Sequence, residues 1–335
     1  MIKGWSYFGV RNPRHVANDL DDMIDHGANS VLFTCSEEDM AFYTDTMEKM
    51  VRLAKKRKMT VYMNPWKLGG VFGGEAFSGF LMKHPETMQI DSSGKPVPAA
   101  CLNNDLFRNF MTQWIEMVAN CGADIAMWDE PHFFIFKWET EWANIKDRWV
   151  CRCEACKTLF RQQFNHELPF EKTPETSQFK ENSIIQFLDD CSQLAKSKGL
   201  QNSVCVLPPN FGLDDGIQNI EKIFQLKAVD IVATDPYWKE NIGPDKVKQN
   251  YYDNSRLLLQ LGTKYNKQAE MWIKNFKIAK EQENKIELAN QITYDTGIRR
   301  ILAWSYLGSD YMSSLRSNNP IKVYKTQSAW FKRMH

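Results

Sequence analysis

The chain has 335 residues, of which 43% are hydrophobic and 13% aromatic, enough for one large α/β domain or two small ones with a sizeable core. Lys plus Arg (42) nearly equals Asp plus Glu (41), a net charge of +1 that gives no electrostatic case for nucleic acid or an acidic membrane surface. No apolar run approaches the roughly 18 residues of a membrane span, and the start of the chain lacks a signal-peptide layout, so the expectation is a cytoplasmic protein with no membrane or nucleic-acid partner.

Strand-like and helix-like segments alternate from the first residues. Lys3-Gly-Trp-Ser-Tyr-Phe-Gly9 reads as strand one. Pro13 opens a helix to Asp25 that carries Val16, Leu20, Met23 and Ile24 on one face and stops at Gly27. Ser30–Thr34 is strand two, and one long helix follows it to about Lys58. Thr60–Asn64 is strand three, broken by Pro65-Trp66. A loop insertion over about 65–104 follows; its Gly69-Gly-Val-Phe-Gly-Gly74 run lacks the Lys-Ser/Thr of a phosphate loop and the spacing of a dinucleotide fingerprint, its length without structure marks it as an active-site loop, and its apolar content argues against disorder.

A helix from Asp105 to Asn120 leads to strand four, Ile125-Ala-Met-Trp-Asp-Glu-Pro-His-Phe133. A second insertion over about 133–200 holds an aromatic patch that includes Trp138, Trp142 and Trp149, a cysteine cluster and two helices. Asn202–Leu207 is strand five, stopped by Pro208-Pro209, and Ala228–Thr234 is strand six, ending in Asp235-Pro-Tyr-Trp238. Glu270–Ile273 is strand seven and Arg300–Ser305 strand eight, each followed by a helix.

Eight strand–helix units in this length point to α/β architecture as a single-domain (β/α)8 TIM barrel spanning 1–335, with long loops after strands three and four. A doubly wound open sheet is the alternative. The barrel also explains why several strands end in polar or aromatic clusters: all would face one pocket.

Strand four delivers acid–base groups where a barrel keeps its chemistry, so Glu130 reads as a proton donor. The plainer reading is that Asp129 and Glu130 cap the next segment, with Pro131 as its first residue. Glycoside hydrolysis needs two carboxylates, ~5 Å apart if a covalent intermediate forms or ~6.5–9.5 Å if a water fits between. The partner of Glu130 is expected to be Asp235, with Asp129 and Glu37 as the other candidates. Strands four and six are expected on opposite sides of the pocket, which would suit inversion. His132 would touch substrate or tune Glu130. Trp66, Tyr237, Trp238, Trp304 and Tyr306 are placed to stack on sugar faces, and Lys274 and Asn275 would suit an anionic or amide-bearing substrate. Each of these is also an ordinary packing or capping residue.

Cys151-Arg-Cys-Glu-Ala-Cys156 puts three thiols within six residues, a spacing suited to one tetrahedral zinc with S–Zn bonds of ~2.3 Å. Cys101, in the neighbouring loop, is a fourth ligand, with His132 and His166 competing for that place; unconnected thiols are the plain alternative. Cys35, Cys121, Cys191 and Cys205 sit in apolar settings and read as core.

The run Cys151-Arg-Cys-Glu-Ala-Cys-Lys-Thr-Leu-Phe160 resembles the cysteine segment of family-42 glycoside hydrolases, the bacterial β-galactosidases, and the segment around Cys101, with Asn103 and Arg108, is similar to their earlier ligand loop. The resemblance implies a TIM-barrel hydrolase, Glu130 as general acid/base, and a structural Zn2+ on Cys101, Cys151, Cys153 and Cys156. Asp129 stands where that family has Asn. The strand-seven segment, where that family carries its nucleophilic Glu, reads Met271-Trp-Ile-Lys-Asn-Phe276 with no carboxylate at its end.

The function expected is therefore a glycoside hydrolase acting on a small-molecule or oligosaccharide substrate; a homo-oligomer is compatible with it. A non-catalytic carbohydrate-binding barrel and a metal-dependent hydrolase or lyase are the alternatives. The latter fits poorly with six His and no His-x-His.

Overall fold

The computed structural model describes residues 1–138, 148–208 and 216–334. Trp142 and Pro209 lie outside the described residues. The strands are β1 (Ile2–Tyr7), β2 (Ser30–Thr34), β3 (Thr60–Asn64), β4 (Met88–Ile90), β5 (Pro96–Ala100), β6 (Ile125–Asp129), β7 (Gln201–Val206), β8 (Ile231–Thr234), β9 (Gln268–Lys274) and β10 (Arg300–Trp304). Eight of them pair in parallel and close into a barrel in the order β1-β10-β9-β8-β7-β6-β3-β2. This is the (β/α)8 architecture, and the open-sheet alternative is excluded.

Alternation along each strand sets what faces where. Leu32, Tyr62, Ile125, Met127, Ile231, Trp272 and Leu302 fill the barrel interior. Their neighbours, such as Val31, Val61, Ala126, Trp128, Ile273 and Ile301, pack outward under the helices. The helical layer comprises α1 (Pro13–Asp25), α2 (Glu37–Phe42), α3 (Thr44–Lys56), α4 (Gly79–Lys83), α5 (Asp105–Cys121), α6 (Glu154–Phe164), α7 (Pro174–Ser197), α8 (Glu221–Gln225), α9 (Pro244–Tyr265), α10 (Asn284–Thr296) and α11 (Pro320–Arg333). Among the described residues no helix is long and apolar enough to cross a membrane.

Two readings of the sequence are corrected. The single helix expected up to Lys58 is broken at Tyr43 into α2 and α3. A Ser36–Asp39 capping box fixes the start of α2, and Arg11 holds Asp39 from outside at 2.7 Å. The first insertion is not structureless: β4 and β5 form an antiparallel hairpin in it. Asp91 builds its turn, accepting from the Ser93 and Lys95 amides at 2.8 and 2.9 Å.

At the N-terminal end of the barrel, Glu270 is fully buried and accepts from Tyr62 Oη (2.7 Å), Ser203 Oγ (3.2 Å) and Arg300 Nε (3.2 Å). This acid therefore serves the interior of the barrel, far from its mouth. Removing one member of a buried pair leaves the other uncompensated. Glu270→Ala is expected to cost about 3–5 kcal/mol in urea unfolding.

Candidate active site

Five inward-parity positions meet at the C-terminal ends of the strands: Asn64 on β3, Asp129 on β6, Asp235 just past β8, Lys274 on β9 and Trp304 on β10. Glu130 has the opposite parity. It takes φ +45°, an uncommon conformation for a residue with a side chain, while its amide continues the strand ladder to the Cys205 carbonyl at 2.9 Å. That twist turns its carboxylate into the mouth, where it shares a hydrogen bond with Asp235.

The expected trio is thus brought together, with one correction to its geometry. Strands four and six of the barrel, β6 and β8, are not opposite one another; they flank β7. Their carboxyl groups interact directly across the neighbouring strand. Burial pushes Asp235 well above the usual carboxylate range, with the Glu130 charge adding to it. Asp129 is raised the same way, opposed by a 2.9 Å hydrogen bond from Asn64 Nδ2. Glu130 is raised by burial, opposed by its Asp235 hydrogen bond and by the charge of Lys67. At least one proton is therefore retained in this cluster where isolated carboxylates would be ionised.

The loop after β3 presses on the pair. Gly73 donates to the Asp129 carbonyl at 2.9 Å, and a Cβ there would lie 3.1 Å from Asp129 Oδ2 and 3.2 Å from Glu130 Oε2. Gly74 (φ +122°) lets the Trp66 indole lie flat against the backbone, since a Cβ would sit 1.9 Å from the ring. Gly73→Ala, which the backbone tolerates, is expected to displace the Asp129 and Glu130 carboxylates by a few tenths of an ångström with little change in Tm, and to weaken any sugar turnover by about 10-fold in the assays below.

Trp66, Tyr237 and Trp304 line the mouth. Phe8 lies 5.2 Å from the Trp66 ring and 5.6 Å from Trp304, and Tyr237 packs edge-on against Phe276 at 5.2 Å. His132 accompanies them: its Nδ1 meets the Glu130 carbonyl and its ring packs edge-on against Trp138 at 5.0 Å. Burial and the Lys67 charge hold it down at about 3, so it stays neutral. Several buried polar atoms at this end have no hydrogen-bond partner: Asn64 Oδ1, Asp235 Oδ1 and both amide atoms of Asn275. Such orphans are uncommon in finished cores and mark a place for a ligand's polar groups.

Three expected substrate contacts fall elsewhere. Tyr306 lies past the end of β10 and turns outward, donating to Asp22 at 2.7 Å and packing on Trp5. Trp238 leaves the mouth for the helical layer, against Tyr251. Glu37 anchors the first insertion, accepting from Gly69 N (2.9 Å), Ser78 Oγ (2.6 Å) and Phe80 N (2.6 Å). Glu75 was missed by the sequence reading. Its side chain is exposed on the loop that continues from Gly73 and Gly74, within reach of the Glu130 charge.

The four thiols of Cys101, Cys151, Cys153 and Cys156 lie within 4.8 Å of one another and could hold a metal ion. Cys101 Sγ is 3.4 Å from Cys156 Sγ and 3.5 Å from Cys153 Sγ. A tetrahedral site with ~2.3 Å bonds spaces its sulfurs about 3.8 Å apart, so the donor set fits. Asn103 supports it, its amide N–H 3.4 Å from Cys101 Sγ and its side-chain Nδ2 3.4 Å from Cys156 Sγ. The competing ligands are engaged elsewhere: His166 meets Glu175 at 3.1 Å, and His132 is at the mouth.

No family model matches the chain, and no curated protein matches it in sequence. Solved structures do match in shape. The endo-1,4-β-mannanase from Rhizomucor miehei superposes with a TM-score of 0.60 at 12% identity, covering 99% of this chain and 95% of that one. An endo-β-1,4-mannanase from Thermotoga petrophila gives 0.56 at 11% identity, covering 99% and 76%. A 3-keto-D-glucoside 4-epimerase from E. coli gives 0.51 at 11% identity, covering 100% of both chains. At these identities the likeness establishes the TIM-barrel fold.

Proposed function

We propose that this protein is a glycoside hydrolase in which Glu130 donates the proton to the departing glycosidic oxygen. The observation that carries the reading is the hydrogen-bonded Glu130–Asp235 pair, set at the C-terminal ends of barrel strands and ringed by Trp66, Tyr237 and Trp304. A carboxyl group kept protonated by burial is what a general acid requires. Asp235, in contact with Glu130, orients that proton on the same side of the bond. The carboxylate available to act from elsewhere in the mouth is Glu75, with Asp129 held by Asn64 to shape the charge around the sugar. Barrel neighbours named as mannanases and as a keto-glucoside epimerase support a sugar as ligand.

The thiol cluster is assigned to zinc. Four sulfur donors close the coordination shell, so the ion would tie the two long insertions together and take no part in the reaction. The resemblance of Cys151–Phe160 to the family-42 segment supports the same assignment. A catalytic metal finds less support: among the described residues, the four cysteines form the one group of three or more potential ligands close enough together to hold an ion.

One observation favours a second reading. Glu130 and Asp235 form a hydrogen-bonded couple on neighbouring positions of the rim. A proton-sharing couple of that kind also suits moving a proton on one face of a free sugar, as an epimerase does. The deciding experiment incubates the protein with a panel of aryl glycosides and, separately, with free sugars, and follows both by NMR. The glycosidase reading expects aglycone release that is lost in Glu130→Gln and reduced in Asp235→Asn and Glu75→Gln. Interconversion of free sugars without any release would replace it with the epimerase. Binding without turnover of either would leave a carbohydrate-binding barrel.

A further inference from the structure

We propose that the rim between β8 and β9 is an anion subsite, so that the sugar taken at the Glu130 mouth carries a carboxylate, sulfate or phosphate group. The proposal deepens the sugar reading above and rests on it for the identity of the ligand.

Two lysines of this rim are buried. Lys274 is 8% exposed and Lys285 is 5% exposed. Charges at such depth are ordinarily paired. Among the described residues neither ammonium has a carboxylate at ion-pair distance. Lys274 Nζ donates to the Trp238 carbonyl at 2.8 Å. Lys285 Nζ donates to Gln282 Oε1 at 2.8 Å and reaches the Glu240 carbonyl at 3.5 Å. Both are thus turned by the fold onto neutral oxygens, and their like charges oppose one another. Lys277, exposed on the same loop, adds a third positive charge. The Glu240 carboxylate acts on Lys274 only through its field.

Position sharpens the mismatch. Lys285 stands in the first turn of α10, where the helix dipole disfavours a cation. The acid of that turn, Glu287, is taken by Arg333 at 2.7 Å. Asn275, next to Lys274, is fully buried and neither of its amide atoms has a partner. An oxyanion supplies what all these groups lack: negative charge for the lysines and an acceptor for the amide. The rim adjoins the mouth, because Lys274 Nζ lies 5.2 Å from the centre of the Phe276 ring, which packs on Tyr237 beside Asp235.

The test is calorimetric binding by the full chain of glucose, glucuronate, glucose 6-sulfate and glucose 6-phosphate, with free sulfate and phosphate as separate arms. Lys274→Met and Lys285→Met are measured beside the native protein; each keeps an apolar stem of similar size and removes a buried charge, so the fold should hold, as melting curves would check. The native protein is expected to bind at least one charged sugar about 10- to 100-fold more tightly than glucose, and each variant to lose most of that preference, with glucose affinity kept in Lys285→Met. Equal affinity for charged and neutral sugars, or a preference that survives both substitutions, would overturn the proposal. Binding of the free anions but of no sugar would also overturn it as a substrate subsite. Because no turnover is read, the absence of glycosidase activity leaves this outcome separate from the reading of Glu130.

Discussion

Glu130→Gln is expected to lower turnover of a glycoside with a poor leaving group by about 10²–10⁴-fold, the usual worth of a positioned general acid. The loss should be far smaller for a dinitrophenyl glycoside, whose leaving group departs without a proton. That contrast separates loss of the acid from simple damage to the mouth. The pH dependence follows from the direction of the shift. Burial raises Glu130, so it stays protonated to higher pH than a free carboxyl, and activity should fall as pH climbs through that raised value. Asp235→Asn places an amide donor beside Glu130. Asp235 already donates to Glu130, so the amide keeps that hydrogen bond and the alkaline limb should move little, while kcat should drop because the pair can no longer share a proton.

Asp235 also makes a stability statement with a definite sign. Its folded-state value lies well above the unfolded one. The stability it contributes is fully present below about pH 4, near the unfolded value, and is lost as pH rises through the folded one. Asp235→Asn should therefore stabilise the protein near neutral pH by about 0.5–2 kcal/mol, with the gain shrinking in acid. A more stable and less active variant is the expected signature of an acid held for chemistry. Loss of stability on this substitution would argue that Asp235 is structural.

The second large effect concerns the thiols. Purified protein is expected to contain about one zinc per chain, and Cys156→Ser to lower unfolding free energy by about 4–5 kcal/mol or more, since loss of a metal tie belongs among the most damaging single changes. Asn103→Ala, which removes one N–H···S contact but no ligand, should weaken zinc binding by about 10–100-fold with the fold retained. Metal analysis and chelator titration followed by melting would check both. Protein free of metal after gentle purification, with an unchanged Tm in Cys156→Ser, would leave the cluster as four packed thiols.

Much of this site was readable because a strand has a period of two. Asn64, Asp129, Asp235, Lys274 and Trp304 share the parity of the interior residues Tyr62, Met127, Ala233, Trp272 and Leu302, so counting along each strand delivers them to the mouth. The errors arise where that count lapses. Tyr306 and Trp238 lie beyond their strands, where chain direction is set by turns and by partners such as Asp22 and Tyr251. Glu130 violates the parity and reaches the mouth only through its left-handed backbone. Glu75 was hidden because its place depends on Gly73 and Gly74 packing against Asp129 and Trp66, contacts that join distant parts of the chain. The two acids were expected on opposite sides of the pocket, yet strands four and six of an eight-stranded barrel are separated by a single strand, here β7.

The Glu270–Tyr62–Arg300 knot has one more bearing on how the protein works. It makes the barrel a blind-ended well: nothing can pass through, and whatever binds beside Glu130 must leave the way it came. Release and re-entry then compete for one doorway, overhung by the Gly73–Glu75 segment. On the glycoside-hydrolase reading proposed above, clearing that doorway would bound turnover whatever is changed at the acids.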